Sequence, residues 1–211
     1  MRTAVLARNN LTDLMLAVGP DAPTLCEGWR ARDLAAHLVV RERRPDSLPG
    51  ILLERFAAHT EKVQNEQART PFTKLIDLIR SGPPKWSPMS FGPIDQATNL
   101  MEYAIHAEDI RRANEIADLP EMPAQVDDDV WNSLPMFARM TLRSLRVGVI
   151  AQCVGRPDAT LRATHKGQSV ARLVGAPRSV ALAVGGRGFD GVKLEGPPDA
   201  LSAVRQAFPG L

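Results

Sequence analysis

The stretch Asn99–Asn114, NLMEYAIHAEDIRRAN, organises this sequence. Laid on a helix, Leu100, Ala104, Ala107 and Arg111 share one side, and Glu102, His106, Asp109 and Ala113 recur at spacings of four, three and four on another. That second side carries ligand-type groups. Glu102 and His106 stand one turn apart, so a carboxylate and an imidazole leave the same face and can hold one divalent ion. Two ligands from one helix do not close a site. His37, in the middle of DLAAHLVV, is the candidate for a third ligand from a neighbouring element. On the residues alone the plainer readings stay open: a Glu-x-x-x-His pair also occurs as a surface pair, and a histidine on an apolar face also serves as a hydrogen-bonded core residue.

The chain's 211 residues suit one medium domain or two small ones. Aromatic residues make up only 5% while Ala, Leu and Val abound, which favours helix-rich packing with a modest second element. Its 26 basic and 24 acidic residues are interspersed and leave a net charge of +2, so no polyanion-binding surface and no nucleic-acid partner are expected. Cys26 and Cys153 lie far apart with no CxxC, which reads as two reduced thiols in a cytoplasmic protein. The opening MRTAVLARNNLTDL meets charged and polar residues before any long apolar run, so no signal peptide is expected. No window has the length of a membrane span, and no membrane partner is expected.

Apolar periodicity predicts a first helix over Thr3–Val18, ended by Gly19-Pro20. ARDLAAHLVVRERR predicts a second, with Leu34, His37, Leu38 and Arg41 on one face and Pro45 stopping the run. Arg30 stands where Ser, Thr or Asp would cap it, leaving Asp33 to favour the first turn by charge alone. Ile51 to about Ala68 reads as a third helix, and Thr70-Pro71 opens a shorter one, FTKLIDLIRS. SGPPKWSPMSFGP reads as a long ordered loop, placed to rim a pocket before the Asn99–Asn114 helix. A further helix runs from about Asp127 to Leu145, with Pro135 expected to kink it or split off its first turns. After Leu145 the texture changes to short β-branched runs, VGVIAQCV, ATLRAT, SVARLV, SVALAV and GVKLEG, which read as strands, and DALSAVRQAF closes as a helix. The expected organisation is a helical module over residues 1–145 and a small α+β module over 146–211.

Gly19–Asp46, GPDAPTLCEGWRARDLAAHLVVRERRPD, together with Glu102–Ala113, EYAIHAEDIRRA, resembles the DinB-like metal-binding helical bundles. The branch it resembles is the one related to mycothiol-dependent maleylpyruvate isomerase. The resemblance implies a mainly α fold, a DinB-like four-helix bundle followed by a small C-terminal α+β domain, which KGQSVARLVGAPRSVALAVGGR and VKLEGPPDAL also resemble. It implies that His37, Glu102 and His106 ligate the metal, since a histidine from the GW…DL..H segment joins a Glu and a His spaced four apart in that family. This sequence departs from the family at Arg30, where relatives usually have a capping Thr, and at Pro135, inside a helix that relatives tend to keep intact.

The expected cofactors are one divalent metal, zinc first with nickel or iron as alternatives, and mycothiol. The expected partners are a small-molecule thiol and a small electrophilic substrate, with the protein a monomer or a homodimer. Arg41, one turn beyond His37, is a candidate for binding a substrate carboxylate or else a solvated arginine of the RERR cluster. Asp109 is a candidate acceptor that orients His106, or else an ion-pair partner of Arg112. His59 reads as a surface residue, His165 as a strand-end or turn residue, and Lys85 and Trp86 as pocket rim or packed loop. Two functions remain open. One is a thiol-cofactor-dependent isomerase or S-transferase; the other is a non-catalytic metal-containing binding or regulatory protein.

Overall fold

The first helix, α1 (Thr3–Val18), turns Ala4, Ala7, Leu11, Leu14 and Met15 fully inward at the three-and-four spacing its sequence shows. It lies in a computed structural model that describes residues 2–47, 57–87, 90–115, 119–164 and 167–207. The chain divides into two compact units, Met1–Met122 and Pro123–Leu211.

In the first unit α1 is followed by α2 (Ala31–Arg43), which buries Leu34, Ala35, Leu38 and Val39. Its start is better held than charge alone would give: the Asp33 carboxylate accepts the Arg30 N–H at 2.9 Å, while the Arg30 guanidinium donates to the Asp21 carbonyl at 2.9 Å. A 3₁₀ turn at Pro45–Ser47 ends the run. Then come α3 (Ala57–Ala68) and α4 (Phe72–Arg80). The predicted beginning of the third helix, from Ile51 to Phe56, lies outside the described residues.

The unit's longest helix, α5, runs over Gly92–Ala113. It starts at Gly92, ahead of the predicted Asn99, because Pro93 in the first turn preorganises helical backbone and sacrifices no intrahelical bond there. Of the expected loop only the last two residues, Gly92 and Pro93, join the helix. From Asn99 to Ile110 every residue of α5 is buried except the half-buried Glu102. α5 packs against α1, α4 packs against both α1 and α2, and α2 also packs against α3. Leu100, Tyr103, Ala104, Ala107 and Ile110 supply the apolar part of this core.

The second unit begins with α6 (Ala124–Thr141) and carries a four-stranded sheet, β1 (Gly148–Gln152), β2 (Ala159–Arg162), β3 (Val170–Gly175) and β4 (Val192–Glu195). The strand order is β2-β1-β3-β4. β1 pairs antiparallel with β2 and parallel with β3, with Ile150 opposite Arg172, and β3 pairs antiparallel with β4. α7 (Pro177–Val184) and α8 (Pro198–Ala207) complete the unit. Alternate residues Ala159 and Leu161, and Ala171 and Leu173, are buried, as expected of strands with one covered face.

Two expectations are corrected here, and a third is narrowed. SVALAV is helical, not a strand: Ala176 caps α7 in extended backbone, Pro177 occupies its first turn, and Ser179 through Val184 are all buried. A short, wholly buried apolar run has no period to separate helix from strand. Of the two outcomes expected at Pro135, a kink or a split, the split does not occur, since Val126, Val130, Trp131, Leu134 and Ala138 form one buried stripe on both sides of it in a single helix. Finally, α6 belongs with the sheet, so the packing boundary falls at 122/123 rather than near 146. α6 packs on β2 and α7, the Trp131 indole donates to the Pro157 carbonyl at 3.1 Å, and Arg178 pairs with Asp127 at 2.8 Å. The mainly helical chain with a small sheet matches the expected class.

Candidate metal centre

A helix buried on all sides must find an internal partner for every polar side chain it carries. On α5 five of these side chains, with the buried Glu108 lying off their line, form one stripe: Asp95, Asn99, Glu102, His106 and Asp109, spaced four, three, four and three. Each meets a partner from elsewhere on the stripe or from another element. Asp95 lies 3.5 Å from the Arg2 guanidinium and accepts from the Asn99 amide at 2.9 Å. The Asn99 carbonyl oxygen accepts from Arg41, whose Nε stands 3.5 Å from Glu102 Oε1.

Around Glu102 the three predicted ligands converge. Glu102 Oε1 lies 3.8 Å from His37 Nε2 and 3.9 Å from His106 Nε2, and the two imidazoles meet edge to face with centroids 5.6 Å apart. All three donor atoms lie within 4.8 Å of one another. An ion bonded at about 2.1 Å holds adjacent donors roughly 3 to 4 Å apart, so two nitrogens and one carboxylate oxygen at this spacing fit a small divalent ion. His106 is buried, whereas the side chains of His37 and Glu102 are 17% and 26% exposed. The group therefore opens toward solvent on the His37–Glu102 side.

The surroundings fix each member. His106 Nδ1 lies 2.8 Å from Asp109 Oδ2; a carboxylate only accepts, so the proton sits on Nδ1 and Nε2 is presented to Glu102. Burial alone would lower the His106 pKa, but the hydrogen bonds to Asp109 and Cys26 and the charges of Glu102 and Asp109 push it up to about 9. Burial likewise would raise Glu102, yet His37, Arg41 and His106 hold its carboxyl well below the usual carboxylate range. The site thus carries an ionised carboxylate that attracts positive charge. Trp29 packs its ring 5.1 Å from that of His37.

Arg41 is not a solvated member of its basic cluster; its guanidinium is turned onto Glu102 and Asn99. Asp109 goes to His106, and Arg112 donates to Glu108 at 3.1 Å. His59 is exposed, 3.2 Å from Asp46 Oδ2, and Lys85 and Trp86 are exposed as well. His165 lies outside the described residues.

Sequence reading missed Cys26, whose thiol donates to Asp109 Oδ2 at 3.3 Å, and Asn99, which extends the stripe by one turn. The same four-three spacing carried back to Asp95 would have found Asn99. Nothing in the spacing points to Cys26. Cys26, His106 and Asp109 form a second trio of donor atoms, but those atoms are already joined by hydrogen bonds and need no ion to satisfy them.

Behind the stripe lies a second buried pair. The Tyr103 hydroxyl donates to Glu42 Oε1 at 2.6 Å, under the Arg8 guanidinium, 5.9 Å above the tyrosine ring. Burial pushes the Glu42 carboxyl up to about 7 against the opposing effects of the Tyr103 hydrogen bond and of Arg8, Arg41 and Arg43.

No protein-family model and no curated protein matches this chain. Two crystal structures of mycothiol-dependent maleylpyruvate isomerase resemble it in fold. One, of a histidine-to-alanine mutant, superposes with a TM-score of 0.53 at 17% identity, covering 92% of this chain and 90% of that one. The other gives 0.51 at 17% identity, covering 92% and 91%. The likeness spans both units of this chain.

Proposed function

We propose that this chain is a divalent-metal-binding protein of the DinB-like type that works with a low-molecular-weight thiol, as an isomerase or S-transferase acting on a small electrophilic substrate. The observation that carries the reading is the convergence of His37, Glu102 and His106 from two helices on one partly exposed point. The fold shared with mycothiol-dependent maleylpyruvate isomerase supports the thiol in particular. Zinc is the first choice of ion, and nickel and iron suit the same donors.

A divalent ion at this point would supply a Lewis acid with open positions, where a thiol loses its proton near neutral pH. The chain's own residues prepare the place. Asp109 accepts from Nδ1 of His106, so Nε2 is the nitrogen turned to the site, and the proton that the raised pKa leaves on Nε2 is the one displaced on binding an ion. His37 and Arg41 keep Glu102 ionised, and Arg41 is itself held in place through Asn99. Trp29 covers one side of His37. Three protein ligands leave room for an exogenous one, which a structural zinc site usually fills with a fourth residue.

One observation favours the alternative of a metal-containing binding or regulatory protein. The Arg41 guanidinium faces Glu102 and Asn99, so its charge serves the carboxylate before any substrate. Titrating the cobalt-substituted protein with mycothiol and with other cellular thiols separates the two. A thiolate-to-cobalt charge-transfer band supports the thiol-dependent enzyme; no band and no heat with any thiol leaves the binding protein.

A further inference from the structure

One loop, Thr24–Trp29, touches the supports of both histidines. It is pinned to α5 by the Leu25 N–H, which donates to the Asp109 carbonyl at 3.1 Å. It is pinned to itself by Thr24, whose hydroxyl oxygen accepts the Cys26 N–H at 3.1 Å and whose hydroxyl donates to the Trp29 carbonyl at 2.9 Å. The Trp29 N–H closes the turn on the Cys26 carbonyl at 3.0 Å, with Gly28 at φ +75°, a conformation that favours glycine. A turn so closed has little freedom to move Cys26. It holds the sulfur 3.3 Å from Asp109 Oδ2, the oxygen that also takes the His106 proton donor at 2.8 Å.

We propose that Cys26 is a positioning residue for the metal centre: its thiol forms the outer end of a relay, Cys26–Asp109–His106, and its chemical state sets how tightly the site holds its ion. The inference rests on the metal reading above. Asp109 is fully buried, whereas Cys26 is only partly so. The relay therefore runs from a place that reagents reach to a ligand that they do not. With the S–H donor in place, Oδ2 has both hydrogen bonds that fix the rotation of the carboxylate, and Nε2 of His106 stays aimed at Glu102. A group added to the sulfur removes the donor and crowds a 3.3 Å contact, so Asp109 turns and His106 loses its orientation.

The test uses the full chain in a Cys153→Ser background, which leaves Cys26 as its one thiol. Affinity for cobalt(II) and for zinc is measured by competition with a chromophoric chelator, alongside the cobalt d–d spectrum and thermal melting. Cys26→Ser keeps a donor and is expected to stay within about threefold of the parent. Cys26→Ala is expected to bind roughly 10- to 100-fold more weakly, the range for losing an outer-shell partner, with an altered d–d spectrum. Alkylating the metal-free parent with N-ethylmaleimide is expected to weaken binding at least as much. The sulfur adds to one alkene carbon and the thiol proton ends on the other, so no oxidant is required. Parent-like affinity and spectrum in both the alanine variant and the alkylated protein would overturn the proposal while leaving the metal reading intact. Equal loss in the serine and alanine variants would overturn the hydrogen-bond role. A parent that binds neither ion would overturn the metal reading and this proposal together.

Discussion

Glu42 is a residue whose chemistry is set by its burial. Its pKa of about 7 lies above its ordinary 4.5, so the folded chain keeps this proton over a range where the unfolded chain has lost it. The contribution favours folding fully below about pH 4.5 and is lost as pH rises through about 7. Glu42→Gln keeps an oxygen for the Tyr103 hydroxyl and removes the charge. It is expected to be more stable than the parent at pH 8, on the order of 2 kcal/mol, with the difference shrinking toward pH 5. Urea unfolding at both pH values checks this; an equal loss in parent and variant between pH 5 and 8 would exclude it. At the candidate centre, His37→Ala and His106→Ala are each expected to abolish tight binding, and Asp109→Ala to weaken it about 10- to 100-fold. His59→Ala should leave binding unchanged, since that side chain stands exposed beside Asp46. Elemental analysis of the purified variants reads the outcome directly, and full occupancy in His37→Ala would refute the ligand set.

Among the elements, α5 shows why a single helix can organise the rest. Leu100, Ala104, Ala107 and Ile110 tie it to the apolar core while Asp95 through Asp109 form a polar stripe whose every member has a partner. α6 makes a different point. Its proline has no N–H to give the Trp131 carbonyl, and the buried stripe holds the helix together regardless. Pro135→Ala restores that bond at a half-buried position and is expected to raise stability by up to about 3 kcal/mol, less whatever entropy the proline removes from the unfolded chain. A thermal melt of the full chain reads it, and a lower midpoint would show that the proline ring itself packs usefully.

For the molecule as a whole, the packing boundary at 122/123 carries its own expectation. His37, Glu102, His106, Asp109, Arg41 and Cys26 all lie in Met1–Met122. A chain of residues 1–122 is therefore expected to bind cobalt with the affinity of the full protein and to give a helix-dominated circular-dichroism spectrum. A folded but metal-free fragment would mean that residues 123–211 supply a ligand.

What the amino-acid sequence determined alone is whatever repeats within one element. The bounds of α1, the helical identity of α2 through α6 where described, and the line from Glu102 to Asp109 along one face follow from periodicity, which is local and survives without a partner. The residues alone made His37 a candidate to join Glu102 and His106, and the resemblance added to it, but that the two helices meet there is a matter of packing, because they lie far apart in sequence. Only the tertiary structure decided the rest. It made SVALAV a helix, because a fully buried run takes its form from its neighbours, and it moved α6 to the sheet, because a helix joins whatever covers its stripe. It also turned Arg41 onto Glu102 and placed Cys26 behind His106, since a side chain's partner is set by which backbones lie within reach and not by its own place in the chain.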